Sequence, residues 1–341
     1  MLRLYKKTNI NKIFKLHKIL KHIVFDIWCK ADTNPWKSKT SNKKLKKLLH
    51  YSIKGESFED KIEKIYNIFK LLSDDEKAKI KRAWKRNNDI EKLCNNDFEP
   101  IPLDDLNHVV KKHIKPFFNW CYTYILDQKE TSGNKLEYYK ELILINKFES
   151  CPCCGITDFE LEDSDYREAF DHYLPKSEYP FASVNFSNLV PLCYKCNSDR
   201  KSTKNPIQNN NKAFYPFSNS DDHEIIIEII IDPNKDLDKL ETKDIKIILK
   251  HKEGKNIEIK TWNRLFDIEK RYNSKIKKYS RQMLKKIKRR HRSNKQIRKN
   301  IKYKKTITIM IEEYKDDFDK EKNFLKVPLL KDIKKRSDIF I

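Results

Sequence analysis

The chain has 341 residues, enough to bury the core of one to three folding units, and its 74 Lys and Arg outweigh 50 Asp and Glu for a formal charge of +24. Such a surplus points to a polyanionic partner, nucleic acid first, against the plainer reading of a Lys-, Asn- and Ile-rich coding bias. No apolar run is long enough to span a membrane, and Lys or His interrupts every apolar stretch of the basic N-terminus, so the expectation is a cytoplasmic protein that opens on an amphipathic helix.

Residues 1–147 read as a helical N-terminal domain. Apolar residues recur at steps of three and four in "IEKIYNIFKLL" (62–72), and Ser73 then stands as an N-cap before the acidic start of "DDEKAKIKRAWKR". A longer pattern runs from Leu103 to about Leu126, with Pro116 expected to kink or split it. His108 and His113 fall within that pattern and read as ordinary helix residues. "NPWKSKTSNKK" (34–44) is the best early linker candidate, and "TSGNKLEYYKELILINKF" gives a loop and a further helix.

The helical period disappears over 148–205, where Cys, Pro, Asp and Asn dominate. Five of the eight Cys lie within 46 residues here. Cys151-x-x-Cys154 and Cys193-x-x-Cys196 are two knuckles at the spacing of a tetrahedral four-cysteine zinc site, which would staple a segment with little core of its own. Gly155 supplies the backbone freedom such a knuckle needs, and Cys153 is a bystander. Cys29, Cys94 and Cys121 sit in helical patterns as buried free thiols.

Residues 206–261 read as a loop followed by short strands. "FYPF" is an aromatic-Pro anchor, "HEIIIEIIID" (223–232) is strand-like, and "DIKIILKHKEGKNIEIK" (244–260) reads as a hairpin turning near Gly254. From 262 to 341 the helical period returns in a basic C-terminal region. Between Lys270 and Lys305 there are 18 Lys or Arg and no acid, Lys285, Lys286, Lys288, Arg289 and Arg290 among them. Without interleaved Glu such a face repels itself, so it reads as a phosphate-contacting element rather than a merely solvated one.

Between the knuckles lie the adjacent Asp171 and His172, then Asn188; Asn197 follows the last Cys directly, with Arg200 and Lys201 one turn on. "DHYLP…NLVPLCYKCN" framed by two C-x-x-C pairs resembles the HNH endonucleases. That resemblance covers about residues 148–205, and the steps of 16 residues from His172 to Asn188 and 9 to Asn197 fall within the family's range. It implies a ββα-metal fold held by zinc on Cys151, Cys154, Cys193 and Cys196. It also implies that His172 is the general base, that Asp171 and Asn197 hold catalytic Mg²⁺ or Mn²⁺, and that Asn188 shapes the loop and holds His172. Arg200 or Lys201 would take a phosphate oxygen, and Lys176 and Lys201 would face nucleic acid. Asn in place of His at 197 favours Mg²⁺ over softer metals, and Arg stands at 200 where the family more often has Lys. Asp199 is a competing ligand candidate.

The wider frame is similar to the HNH subunits of bacterial anti-phage systems, of which the Septu type works with an ATPase partner. The expected fold is therefore mostly α with a small central ββα-metal (HNH) zinc-stapled module and a short β-hairpin or sheet segment, α+β overall. The expected activity is hydrolysis of nucleic-acid phosphodiesters, DNA ahead of RNA, in antiviral defence. Two alternatives stay open: an RNase, for instance against tRNA, working from the same site, and a zinc-stapled nucleic-acid-binding or scaffold protein without activity.

Overall fold

The computed structural model describes residues 3–8, 11–131, 135–218, 225–297, 301–318 and 320–336. They form mostly helices with three two-stranded antiparallel sheets, and the chain divides into two compact units. None of the described helices is long and apolar enough to cross a membrane.

One unit comprises residues 4–148 and 159–220. Its helices are α1 (Lys15–His22), α2 (Lys43–Lys46), α3 (Phe58–Phe69), α4 (Asp74–Asn87), α5 (Ile90–Asn95), α6 (His108–Trp120), α7 (Lys135–Asn146) and α8 (Tyr194–Cys196). Its strands are β1 (Ser52–Ile53) with β2 (Glu56–Ser57), and β3 (Phe170–His172) with β4 (Leu189–Pro191). Ser73 caps α4 in a reciprocal capping box with Glu76, satisfying two donors of the first turn. Trp28, Phe58, Phe69 and Phe117 form the buried aromatic centre against which α3 and α6 pack.

Two early expectations are narrowed here. Pro116 does not split its helix: α6 runs through it, keeping Ile114, Phe117, Phe118 and Trp120 buried, and passes into a wider π-type turn at Cys121–Ile125. Within the linker candidate at 34–44, Trp36 on a short 3-10 turn is buried at 3 % exposure and anchors a stretch whose other residues are exposed or half-buried. The "FYPF" segment does anchor the chain, with Tyr5 donating its N–H to Pro216 O at 2.8 Å and Tyr5 pairing with Phe217 in a parallel bridge.

The other unit comprises residues 1–3, 149–158 and 221–341. Strand β5 (Ile225–Ile231) pairs antiparallel with β6 (Ile245–His251), and helices α9 (Asn256–Phe266), α10 (Ile268–Ile297), α11 (Tyr303–Asp316) and α12 (Asn323–Lys335) follow. Residues 223–224 of the expected strand lie outside the described residues. The expected hairpin over 244–260 is not formed. Gly254, at φ +74°, ends the strand's turn, and 256–266 is helical because Ile259, Trp262, Leu265 and Phe266 bury together at steps of three and four. The helical region expected from residue 262 onward is interrupted at Asp267, which adopts a left-handed backbone conformation and separates α9 from α10. Sheet β5–β6 packs on α10 and α12, and Arg336 fastens the end of α12 to the carbonyls of Ile231 and Asp232.

The first knuckle is seated within this unit. Trp262 Nε1–H donates to Cys153 O at 3.2 Å, and the Tyr272 hydroxyl donates to Cys154 O at 3.1 Å. Gly155 turns the chain at φ +64° and gives its N–H to Cys151 O at 2.7 Å. The Cys193 carbonyl closes the second knuckle in the same way, accepting from the N–H of Cys196 and of Asn197, each at 2.9 Å.

Candidate active site and metal centres

The sulfurs of Cys151, Cys154, Cys193 and Cys196 all lie within 4.8 Å of one another, and all four residues are buried. Four thiolates at Zn–S distances of about 2.3 Å stand about 3.8 Å apart in a tetrahedron, so this quartet fits a zinc ion whose four protein ligands leave no position open for water. Cys153 is buried outside the quartet. Cys29, Cys94 and Cys121 are free and buried too; burial pushes the Cys29 thiol up to about 12 and raises the other two, which keeps them protonated and unreactive.

Between the knuckles the backbone turns through β3 and β4 into α8, which continues as a π-type turn at Asn197–Lys201. In the register of β3 and β4, Asp171 faces Val190 and His172 faces Leu189. Because neighbouring strand residues point to opposite sides, Asp171 is buried at 2 % exposure while His172 is half-buried.

His172 Nε2 lies 3.0 Å from the carbonyl of Ser183. A carbonyl only accepts, so Nε2 carries the proton and Nδ1 keeps its lone pair in the neutral ring. Burial, reinforced by Lys176, pushes the imidazole down to about 3, which keeps it neutral at physiological pH. Tyr122, from the π-type turn after α6, sets its ring at 64° against the imidazole, 4.5 Å between centroids.

Asp171 Oδ1 accepts from the ammonium of Lys201 at 3.0 Å, and the same ammonium donates to His172 O at 2.8 Å. Its other oxygen, Oδ2, is buried with no hydrogen-bond partner among the described residues. Burial raises the Asp171 carboxyl and Lys201 opposes that rise. A buried carboxylate oxygen without a donor is costly unless a cation meets it, so this oxygen suits a hard divalent ion. Asn197, which lines the same cavity, offers a second oxygen: its Nδ2 donates to Ala169 O at 3.4 Å, which leaves Oδ1 as an acceptor.

Asp171, His172 and Asn197 line one cavity of about 190 Å³, together with Lys115, Asn119 and Lys176. Lys176 holds its ammonium 5.1 Å from the centre of the Tyr122 ring. Spacing alone does not single out Lys115, Asn119 and Tyr122; they belong to a helix distant in sequence, and their only signal is the shared face of positions 115, 119 and 122.

The remaining sequence candidates lie elsewhere. Asn188 is fully buried and does not bond the His172 side chain; its amide bridges the Leu174 backbone, accepting at 2.7 Å and donating at 3.1 Å, and donates to Ala182 O at 3.3 Å. It therefore fixes the loop that carries Ser183. Lys201 is fully buried on Asp171 and His172, so it positions the site rather than facing nucleic acid. Arg200 and Asp199 are not among the residues lining the cavity. On α10, Lys286 lies 5.0 Å from the centre of the Tyr314 ring and Arg290 pairs with Glu313, so both engage α11, while Lys285, Lys288 and Arg289 are exposed.

Comparison with known proteins finds two relatives over limited stretches. Over 51 residues the chain is 45 % identical to the Septu protein PtuB of Bacillus thuringiensis, covering 14 % of this chain and 20 % of that protein. Over 84 residues it is 33 % identical to protein ea31 of Escherichia phage lambda, covering 25 % of this chain and 26 % of that one. The chain thus matches about a quarter or less of either relative's length. No protein-family profile matches, and no solved structure matches.

Proposed function

We propose that this chain is a metal-dependent endonuclease of the HNH type that hydrolyses phosphodiester bonds in DNA and serves in antiviral defence beside an ATPase subunit. The observation that carries the reading is the lining of one small cavity by a neutral histidine of fixed tautomer, a buried aspartate with an unpartnered oxygen, and Asn197, on a strand–strand–helix unit next to a four-thiolate cluster.

His172 Nδ1 takes a proton from water as its oxygen attacks phosphorus; the bond to the 3′ oxygen breaks and that oxygen takes up a proton from solvent, giving 5′-phosphate and 3′-hydroxyl ends. A phosphodiester seated beside the ring brings negative charge that raises the imidazole toward the range where proton transfer from water is efficient. The Ser183 carbonyl holds the ring orientation through Nε2–H, and Lys115 and Lys176 supply positive charge for the phosphate. A Mg²⁺ or Mn²⁺ ion held by Asp171 and Asn197 would supply charge stabilisation for the phosphate and the leaving oxygen. Zinc on the four cysteines is structural in this reading.

The similarity to a Septu protein supports the defence role, and the basic surplus supports a nucleic-acid substrate. The test is incubation of the protein, alone and with an ATPase encoded beside it, on plasmid DNA and on total RNA with Mg²⁺ or Mn²⁺, followed by end-group analysis. DNA cut to 5′-phosphate ends is the expected result. Cleavage of RNA alone would move the substrate class, and cleavage of neither polymer would overturn the enzyme reading.

A further inference from the structure

Helix α10 is 30 residues long and presents two opposed faces. Tyr272, Ile276, Ser280, Met283, Ile287 and His291 recur at steps of three and four and are buried. On the far side Lys278, Lys285, Lys288, Arg289, Arg292 and Lys295 are exposed. At 100° per residue these six cations fall within an arc of roughly 120° centred opposite the buried stripe. None of the six side chains has an ion-pair or hydrogen-bond partner among the described residues, unlike Lys286 and Arg290 on the flank toward α11. The positions between them on this face are Ser, Gln or Arg, with no acid to neutralise the row and no aromatic ring.

We infer that this face of α10 is a rail for the phosphate backbone of double-stranded nucleic acid. The inference rests on the nuclease reading only for the identity of the polymer as DNA. From Lys278 to Lys295 the helix rises about 25 Å, about the length of seven base pairs of duplex measured along its axis at 3.4 Å each. A straight row of unpaired cations without self-neutralising partners is held at an electrostatic cost that a polyanion removes. Binding to single strands relies on aromatic platforms for the bases, and this face has none, so the duplex backbone is the fitting ligand. Contacts of this kind give affinity without sequence preference.

The experiment is a titration of a fluorescein-labelled 20-base-pair DNA duplex, and of one of its single strands, with zinc-loaded protein and no added Mg²⁺ or Mn²⁺ so that no cleavage occurs, across a range of salt concentrations. The full-length protein is compared with a Lys285→Ser/Lys288→Ser/Arg292→Ser variant, whose folding is checked by its circular dichroism. All three residues are exposed and outside the cavity of His172. The rail predicts tighter binding to duplex than to single strand, and a slope of log K against log salt shallower by about 2.7 in the variant, from 0.9 per lost phosphate contact. A Lys286→Ser/Arg290→Ser variant should change the slope by less than one contact, because those side chains already face α11. An unchanged slope in the triple variant, or equal binding of duplex and single strand, overturns the rail. Loss of cleavage activity plays no part in this readout, so a failed nuclease assay would leave the result interpretable.

Discussion

The ammonium of Lys201 lies 3.0 Å from Asp171 Oδ1, and both side chains are buried. The same ammonium holds the His172 carbonyl, so one lysine ties the candidate metal ligand to the backbone of the candidate base. Breaking a buried pair from one side leaves a charge without a partner. Lys201→Met should therefore lower stability by about 3 kcal/mol or more, read as a shifted urea midpoint at constant m-value. Combining it with Asp171→Leu should recover part of that loss; a single variant as stable as wild type would remove Lys201 from its positioning role.

Asn188 and His172 should separate cleanly. Asn188 makes three buried hydrogen bonds to the loop backbone, so Asn188→Ala should cost about 2–3 kcal/mol through its stranded partners, with activity falling as the loop loosens. His172→Ala should change stability far less, since the ring is half-buried and makes one side-chain hydrogen bond. Thermal midpoints of the two variants side by side decide this, and the reverse order would contradict the assignment of scaffold and base.

Zinc removal should unfold the knuckles. Cys151→Ser or Cys193→Ser protein should lose about one equivalent of zinc and melt at lower temperature, whereas Cys153→Ser should retain its metal. Elemental analysis of purified protein checks the first statement and calorimetry the second. Full zinc content in the Cys151 variant would rule out the four-thiolate site.

His17 gives a pH signature independent of the active site. Its ring stacks on Trp84 at 5.1 Å, its Nδ1 is buried without a partner among the described residues, and burial, with help from Lys21 and Lys18, pushes it down to about 4. An unfolded histidine titrates near 6.5. Between about pH 6.5 and 4 the unfolded chain therefore binds a proton that the folded chain refuses, so stability falls as pH drops through that window, by at most about 1.4 kcal/mol per unit from this group. His17→Phe keeps the stacking and should flatten the curve by that slope in urea denaturation at pH 5 and pH 7; parallel curves for the two proteins would count against a neutral buried His17.

The knuckles, the Asp-His pair and the N-cap at Ser73 are legible because each is a local pattern whose chemistry depends on spacing along the chain. The segment 244–260 misleads because "NIEIK" alternates like a strand over five residues, and only Trp262, Leu265 and Phe266 beyond it reveal the helical period. The partnership of Lys201 with Asp171 is not legible. A lysine one turn after Asn197 looks like a surface cation until the turn at 197–201 rotates it inward. Lys115 and Asn119 at the cavity and Tyr122 against the imidazole are hidden for a different reason, since a segment some 50 residues upstream brings them there and tertiary packing leaves no mark on local sequence.

The most direct test of the account is nicking of supercoiled plasmid DNA with Mg²⁺ or Mn²⁺ by wild-type and His172→Ala proteins of equal zinc content. The account predicts relaxed and linear products from wild type and a rate lower by about a thousandfold in the variant, the range expected when a general base is lost. Equal nicking by both proteins would contradict it.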